Sequence, residues 1–494
     1  MEKLTKKLKD NIEGVKAVLS AEDILVYGFL TGDGTECAIV YTDGMVDKAL
    51  LGDLAARPLS KLTPENKEKG FTPEEVKQTL LFPELKEETQ LQNIFAEVLD
   101  GNSLLLVDGL ETGLIVGAKL LPVRTVMEPP TDIAVKGPRE GFIEDIKTNM
   151  ALLRKRLKTP DLKFELQKAG KRSQTNIAIC YLDGICDEKV KKEVAARIGE
   201  IDIDCIPDSS YVAAFIAPRK HSIFREVGTT EKPDILAAKM AEGRVGILVD
   251  GSPIALTVPF ILTEDFQSSE DYFVSPFMAT IFRAIRFLAI LIALLLPAFY
   301  VTSQLFKMQL IPLGLMLNIA SSVQGLPLSP SLEMFLVLLT LEVLKEASIR
   351  MPKYVGMALS IVGALVLGET AVSAGIVSTP TLMIMALSAI SLYTVPELQG
   401  TLSLLRIIFL FIAGMIGIFG IILGGIFLMN YLFELEAYGT PYTAPYAPLI
   451  RDDLKDSIFK DELLDMQTRP ESIRHRNRIR LKRQEVKPPK SNKR

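Results

Sequence analysis

The chain has 494 residues, of which 48% are hydrophobic and 23% charged, and its formal net charge is −4. This length allows two or three domains. The only histidines, His221 and His475, argue against a histidine-based zinc site and a histidine-dependent catalytic triad. The four cysteines form no Cys-x-x-Cys pair, which argues against a secreted disulfide framework and indicates buried thiols in a reducing compartment.

The first 280 residues are polar and contain a diverged internal repeat. Residues 36–47 align with 176–187, each around a Tyr-x-Asp-Gly turn signal, at an offset of 140. Residues 104–109 align with 246–251 at an offset of 142. No apolar signal segment opens the chain, so we expect this part to lie in the cytoplasm.

Each repeat predicts a small α/β layer. Short β-rich runs end in Asp-Gly, and a helical pattern follows, which predicts strand, turn, helix and hairpin. We therefore predict two duplicated α/β units, over 1–126 and 161–266. Because Asp-Gly is ordinary turn chemistry, we interpret the repeated aspartates as turn residues rather than catalytic acids. These are Asp43, Asp108, Asp183 and Asp250.

A linker with a connecting helix is predicted over 127–160. Pro129-Pro130 and Gly137-Pro138 prevent a helix up to about Arg139, and a charged helix is predicted over 140–157. Two interpretations stay open, a docking element between units or subunits and a simple linker with a solvated helix. The candidate coupling residues here are Lys136, Arg139, Glu140, Glu144, Asp145, Asn149, Arg154 and Arg156.

An interfacial helix is predicted over 267–286. Tyr272, Phe273, Arg283 and Arg286 suit a helix that lies at lipid headgroups before the chain enters a bilayer. Three further coupling candidates lie here, namely Asp271, Arg283 and Arg286.

The apolar part, 287–433, predicts an all-α polytopic membrane domain with four to six crossings. Residues 370–396 and 407–433 contain no charge, and a bilayer core ~30 Å thick needs roughly 20 apolar residues of helix. The segment 309–324 is shorter and is interpreted as either a crossing or a re-entrant hairpin. The predicted spans are 287–306, 331–349, 355–377, 379–396 and 405–431.

The distribution of basic residues predicts the orientation. Arg283 and Arg286 precede the first span, and the basic tail, 434–494, has 11 Lys and Arg residues from Arg469 onward. Both termini are therefore expected in the cytoplasm, which requires an even number of crossings. Five spans do not satisfy this parity, so four or six crossings remain open.

Charged residues inside the apolar part are the pore or gating candidates. Glu342, Glu346 and Arg350 are predicted on one helix face, with intrahelical pairs Glu342–Lys345 and Glu346–Arg350. A charge at membrane depth costs ~2.5–3.5 kcal/mol on insertion scales, so such groups face water or a bundle interior. The alternative is that this end of the helix reaches the headgroups. Glu369 is predicted in the middle of the next span.

Several motifs resemble one family over nearly the whole chain. They are EPPTD (128–132), KGPREGFIED (136–145), LLRKR (152–156), TEKPD (230–234), GRVGILVDGSP (243–253), SEDYF (269–273), LKEASIRMP (344–352), SIVGALVLG (360–368) and YGTPYTAPYAP (438–448). Together they resemble the A subunits of GerA-type spore germinant receptors. The stage V sporulation paralogue of that subunit shares the same layout.

The resemblance implies a protein of the spore inner membrane. It implies a homo-oligomer that associates with a transporter-like B subunit and a lipoprotein C subunit and forms a nutrient-gated cation channel. The alternatives are a secondary transporter and a non-conducting coupling scaffold. No enzyme, cofactor, metal site or nucleic-acid partner is expected, and the basic tail is explained by orientation or by anionic lipid.

Overall fold

The chain forms two α/β units followed by a helical region and a tail. The computed structural model describes residues 3–19, 21–64, 70–82, 84–120, 137–306, 312–351, 363 and 366–480.

The first unit contains a five-stranded antiparallel sheet. Its strands are β1 (Ile24–Leu30), β2 (Glu36–Thr42), β3 (Leu85–Glu88), β4 (Ser103–Val107) and β5 (Gly113–Val116). Its helices are α1 (Leu8–Val18), α2 (Lys48–Leu51), α3 (Arg57–Leu59), α4 (Pro73–Thr79) and α5 (Leu91–Leu99), with a π-helical turn at Gly52–Ala56. The strand order is β1-β2-β4-β5-β3.

The second unit has the same topology. Its strands are β6 (Leu162–Ala169), β7 (Thr175–Leu182), β8 (Gly228–Thr230), β9 (Val245–Val249) and β10 (Ala255–Val258), and its helices are α6 (Ile146–Arg156), α7 (Glu188–Gly199), α8 (Ser209–Ile216) and α9 (Pro233–Ala241). The order β6-β7-β9-β10-β8 repeats the first sheet position by position. The predicted α/β character of this part of the chain is therefore confirmed.

Helices cover both faces of each sheet. Successive strand residues point to opposite faces, so Ile39 packs towards α2–α4 whereas Val40 packs against α1 and α5. In the second sheet Ile179 packs against α7 and α8, and Cys180 packs against α6 and α9. Because both faces are buried, the central strands β4 and β9 are buried along their whole length, whereas the edge strands β3 and β6 keep exposed charged residues.

The two units also share their helix caps. The Asn11 side chain accepts from the N–H of Thr5 and donates to its carbonyl, and Asn149 makes the same pair of bonds with Ile143. The Asp108 carboxylate accepts from the first N–H of α1, and that of Asp250 accepts from the first N–H of α6. The predicted Asp-Gly turns thus also cap helices.

Helix α6 differs from its prediction. We predicted a helix over 140–157, but it begins at Ile146 because the Asp145 carboxylate caps it by accepting from the Thr148 N–H at 2.8 Å. It is not a solvated connector, since Met150 and Leu153 pack into the core of the second unit. The predicted linker therefore contributes a structural layer.

The helical region contains seven described helices and ends in a small hairpin. They are α10 (Pro276–Leu305), α11 (Leu313–Val323), α12 (Pro330–Arg350), α13 (Ala371–Ser373), α14 (Thr379–Leu392), α15 (Gln399–Ile416) and α16 (Ile418–Glu434). Shorter 3-10 or π turns lie at Leu262–Phe266, Ser269–Tyr272, Val366–Thr370, Pro396–Leu398 and Asp452–Lys455, and the hairpin is β11 (Glu436–Ala437) with β12 (Thr440–Pro441).

Several predicted boundaries are corrected. Helix α10 is continuous through the predicted interfacial helix and the first span, so no separate interfacial helix exists at 276–286. Helix α11 has 11 residues, about 16 Å, too short to cross a bilayer core. Most of the predicted span 355–377 lies outside the described residues. Among the described helices, Pro276–Leu305 and Pro396–Ile416 are long and apolar enough to cross a membrane.

The predicted span 405–431 is two helices. Gly417 separates α15 from α16 with φ +70° and ψ −144°, a conformation that L side chains rarely adopt. The two helices then fold back on each other and pack closely. A Cβ at Gly420 would lie 2.5 Å from the Ile412 side chain, and one at Gly424 would lie 3.4 Å from Phe409. This break was not predicted, because residues 407–433 contain no charged residue that would mark the end of a helix.

The tail packs against the rest of the chain as far as it is described. The Asp456 carboxylate accepts from the Tyr272 hydroxyl at 2.8 Å and from Arg283 at 2.9 Å. Arg469 donates to the Ala241 carbonyl of the second unit at 2.7 Å. The tail thus joins the second unit to the start of α10.

Candidate functional site

A chain of polar contacts crosses the apolar helical region. Arg406 on α15 has a side chain 2% exposed, and its Nη2 lies 2.7 Å from the Glu342 carboxylate on α12. Lys345 pairs with the same carboxylate and donates to Ser403 Oγ at 3.1 Å. Two cations therefore surround one carboxylate.

The same network reaches two more helices. Arg406 Nη1 donates to Ser388 Oγ on α14 at 3.1 Å, and Ser388 donates to the Ala293 carbonyl on α10 at 2.8 Å. Each bond satisfies a polar group that apolar surroundings would leave unpaired. The network thus fixes α10, α12, α14 and α15 to one another.

Glu346 and Arg350 face away from this network. Their side chains are 58% and 78% exposed, and they pair with each other at 2.6 Å. The prediction that Glu342 shares a face with them is corrected, because each four-residue step rotates about 40° around the helix and Arg406 holds Glu342 inward. Both predicted intrahelical pairs are present.

Glu369 lies in the π turn Val366–Thr370 and is exposed. No contact within the described part of the chain joins it to Glu342. The structure therefore does not bring the two predicted membrane carboxylates together.

Arg283 and Arg286 form a buried charge cluster at the start of α10. Arg283 is fully buried and lies 2.9 Å from both Asp271 and Asp456. Arg286 Nη1 lies 2.8 Å from Asp271. Burial acts to raise the pKa of Asp271, but the bonds from Arg286 and Arg283 hold it below its usual value. The predicted contact of both arginines with lipid headgroups is wrong, because protein carboxylates occupy them.

Arg154 lies between the two α/β units. Its guanidinium makes a two-pronged pair with Asp23 of the first unit, Nη2 donating to Oδ1 at 2.9 Å and Nε to Oδ2 at 3.1 Å, and both side chains are buried. It also donates to the Thr159 and Leu162 carbonyls. Burial raises the pKa of Asp23 although Arg154 acts in the opposite direction.

The other predicted coupling residues have local contacts. Glu140 pairs with Lys155 and Arg156 at 2.6 and 2.8 Å, within the second unit. Glu144 and Arg139 are exposed. Asp145 and Asn149 cap or brace α6, as described above. Lys136 lies outside the described residues.

A loop of the second unit, 217–227, docks on the ends of the helices. Arg225 bridges Asp265 and Glu397, each at 2.5 Å, and Glu397 lies in the turn before α15. The Ile223 carbonyl accepts from the Thr401 hydroxyl, and Phe224 packs into the core that the helix ends form. We call residues 217–227 the docking loop. The sequence did not predict its contact with the helix ends.

Four individual residues, one of them in the docking loop, were also missed. Arg406 had one signal, since it is a lone arginine at the edge of an uncharged run. Glu333 had the same kind of signal on α12. Asp23 and Arg225 had none, because their partners are far away in sequence. No group of three or more His, Cys, Asp or Glu that could hold a metal occurs within the described ranges.

Comparisons with known proteins agree on one family. The family model described as the Bacillus/Clostridium GerA spore germination protein matches residues 9–472. Spore germination protein KA of Bacillus subtilis (strain 168) is 35% identical, over 96% of this chain and 87% of that protein. The uncharacterized membrane protein YfkQ of the same organism is 36% identical, over 94% and 90%. Spore germination protein GerLA of Bacillus cereus is 34% identical, over 91% and 93%.

One solved structure is also similar. The N-terminal domain of the A subunit of the Bacillus megaterium spore germinant receptor GerK3 is 30% identical, covers 52% of this chain and 96% of that domain, and gives a TM-score of 0.41. With a family match over residues 9–472, the chain belongs to the GerA family, that of GerA-type spore germinant receptor A subunits.

Proposed function

We propose that this chain is a receptor A subunit that crosses the spore inner membrane several times, assembles with copies of itself, and forms an ion pathway. Nutrient binding on a transporter-like B subunit, with a lipoprotein C subunit present, opens the pathway in this proposal. Family membership supports the receptor role, and one relative is named a membrane protein. The arrangement of the chain's own helices supports the crossings, the self-assembly and the ion pathway.

The helix ends support an even number of crossings. Helix α10 leaves the second unit beside Arg286, and α16 returns to it, where the Glu434 carbonyl accepts from Arg219. Splitting 405–431 into α15 and α16 raises the predicted spans from five to six. Six crossings place both ends of the helical region on the side of the α/β units, with α11 as a short element at the opposite end.

The uncovered face of α12 is the observation that carries the proposal. Its apolar side chains are 40–61% exposed in the single chain, and the same face ends in the exposed pair Glu346–Arg350. Charges at membrane depth require water or protein around them. A second copy of the chain against this face would cover the apolar part and leave the charged end beside a shared water-filled axis. The apolar residues are Leu332, Leu336, Leu339 and Val343.

Planar-bilayer recording of the purified oligomer tests the proposal. The double substitution Glu342→Gln with Glu346→Gln leaves Arg406, Lys345 and Arg350 without carboxylates. We expect permeability to cations to fall relative to chloride, because positive charge then dominates this part of the helix. Glu200→Gln, an exposed acid on the second unit, is the matched control and should keep wild-type selectivity.

Absence of conductance under every activating condition, or unchanged selectivity in the double variant, would count against the proposal. A monomer in detergent would also contradict it, since the uncovered face of α12 would then have no protein neighbour.

A non-conducting scaffold is the second candidate. The observation that favours it is that Glu342 and Glu346 are both neutralised within the chain, as a structural network would be. In that case the docking loop would transmit a change between the α/β units and the helices without ion flow. A stable oligomer that never conducts would favour this function.

A further inference from the structure

Glu333 is a buried carboxylate where α10 ends and where α12 and α14 begin. It is fully buried in the first turn of α12. Its Oε1 accepts from the Ser378 N–H at 2.5 Å and from the Ser378 hydroxyl at 2.6 Å. Ser378 is the N-cap of α14, so this oxygen also caps that helix.

The other oxygen of Glu333 has no hydrogen-bond partner in the described structure. Oε2 is buried and accepts no hydrogen bond, and no ion pair to Glu333 occurs within the described part of the chain. Glu342, about two and a half turns further along α12, contrasts with it because two cations contact that carboxylate. Within the described residues, Glu333 is therefore the carboxylate of α12 that has no cationic partner.

The helix dipole balances only part of this charge. The N-terminus of a helix is equivalent to roughly half a positive charge, and here it acts through the Ser378 N–H on Oε1. Negative charge thus remains on Oε2. A free carboxylate oxygen in an apolar interior is costly unless a cation or a proton compensates it.

The side chains next to Glu333 carry hydroxyl oxygens, which can act as ligands of a cation. Thr381 Oγ1 lies 2.9 Å from Ser378 Oγ and 3.4 Å from the Tyr300 hydroxyl. Oxygen ligands suit hard cations. One carboxylate among neutral groups balances a single positive charge rather than two.

A cleft of about 480 Å³ between α10, α11 and α14 leads to this cluster. Tyr300 belongs to both, since it lines the cleft and its hydroxyl contacts Thr381. The cleft is mainly apolar but has polar groups along its wall. These are Tyr300, Ser303, Asn318, Ser322 and Thr379.

We propose that Glu333 Oε2 binds a monovalent alkali-metal cation, such as K⁺ or Na⁺, at the end of the helical region opposite the α/β units. The further role of this site, as the entry point of the ion pathway, rests on the proposed function. Binding of the cation itself is independent of conduction.

Thermal unfolding of the full chain in detergent tests the binding. KCl is titrated against N-methylglucamine chloride at constant ionic strength, so that screening does not change. We expect saturable stabilisation, because a ligand at ten times its Kd shifts the unfolding equilibrium about 11-fold. Stabilisation that is absent, or that does not saturate, in the wild type overturns the proposal.

Variants identify the oxygen responsible. Glu333→Gln keeps an acceptor for Ser378 but removes the charge, and it should abolish the K⁺ dependence. Glu200→Gln removes the same charge from an exposed position on the second unit, outside the proposed ion pathway, and should retain the K⁺ dependence. If Glu333→Gln does not fold, Glu333→Asp keeps the charge on a shorter side chain and should bind K⁺ at least several-fold more weakly. K⁺ dependence unchanged in Glu333→Gln, or in Glu333→Asp where that variant is used, shows a purely structural cap and overturns the proposal.

The two proposals fail separately. Conductance with no saturable K⁺ binding removes the site at Glu333 and leaves the channel. Saturable K⁺ binding that depends on Glu333, without conductance in a bilayer, retains the site and removes the channel.

Discussion

Arg154 illustrates how a single buried residue joins two parts of this molecule. Its pair with Asp23 is the buried ion pair between the α/β units, and both partners are desolvated. Burial raises the pKa of Asp23, so the charged carboxylate depends on Arg154. The net contribution of such a pair is small, but removal of one partner leaves an uncompensated buried charge.

We therefore predict that Arg154→Ala lowers the free energy of unfolding by about 3–5 kcal/mol, the usual cost of breaking a buried pair. Urea unfolding of the full chain in detergent, followed by circular dichroism, measures it. Arg172→Ala is the control, because that arginine is 84% exposed beside Asp204, and it should change stability by less than about 1 kcal/mol. Equal losses of unfolding free energy in the two variants would contradict the prediction that the buried pair contributes more than an exposed arginine.

Residue-level predictions succeeded where the partners are close in sequence. The pairs Glu342–Lys345 and Glu346–Arg350 follow from helix spacing alone. Arg406 and Asp23 could not be assigned, since their partners lie 64 and 131 residues away and no local pattern specifies them. The sequence also could not show that the acidic partners of Arg283 and Arg286 come from the protein rather than from lipid, since Asp271 lies outside α10 and Asp456 lies 173 residues from Arg283.

At the scale of elements, apolar periodicity predicts where helices occur better than where they break. The run 407–433 contains no charge or proline, so nothing in its composition separates α15 from α16. The break depends on a single glycine among several, Gly417, whose conformation only the folded chain determines. The repeated hairpins were predictable from Asp-Gly turns, whereas the short edge strands β3 and β8 carry too little pattern.

Two glycine substitutions in this hairpin should have opposite effects. Gly417→Ala forces a side chain into a positive-φ conformation, 3.0 Å from the Phe306 ring, and should cost about 1–3 kcal/mol. Gly425→Ala places a methyl group in open space within α16 and should stabilise the helix by up to about 1 kcal/mol. Thermal unfolding of the two variants in the same detergent compares them. A gain in stability at both positions would mean that Gly417 is an ordinary helical glycine.

At the scale of the whole molecule, charged contacts join the α/β units to the helices. The docking loop contacts the turn before α15 through Arg225, and the tail contacts the start of α10 through Asp456. These contacts link residues 172 and 173 positions apart. Ionisable groups are therefore part of the connection between the α/β units and the helices, beside the apolar packing of Phe224.

Asp265 makes one of these contacts sensitive to pH. It is buried beside Arg225, with Glu264 and Glu397 nearby, and its Oδ2 has no hydrogen-bond partner in the described structure. Burial raises its pKa from 3.8 to about 6, although Arg225 acts to lower it. The folded state therefore keeps a proton that the unfolded state releases near pH 4. The stabilisation is complete below the unfolded value and is lost as the pH rises through about 6.

We predict that the Asp265 contribution to the free energy of unfolding falls by on the order of 3 kcal/mol between pH 4 and pH 7. Other carboxylates titrate in the same range, so the quantity to measure is the difference between wild type and Asp265→Asn in denaturant unfolding at each pH. The wild-type free energy of unfolding minus that of the variant should decrease by this amount as the pH rises from 4 to 7. Asp202→Asn, an exposed carboxylate paired with Lys171, should show no such trend. A difference that does not depend on pH would mean that Asp265 stays ionised over this range. The contact of Asp265 with Arg225 in the docking loop would then be insensitive to protons.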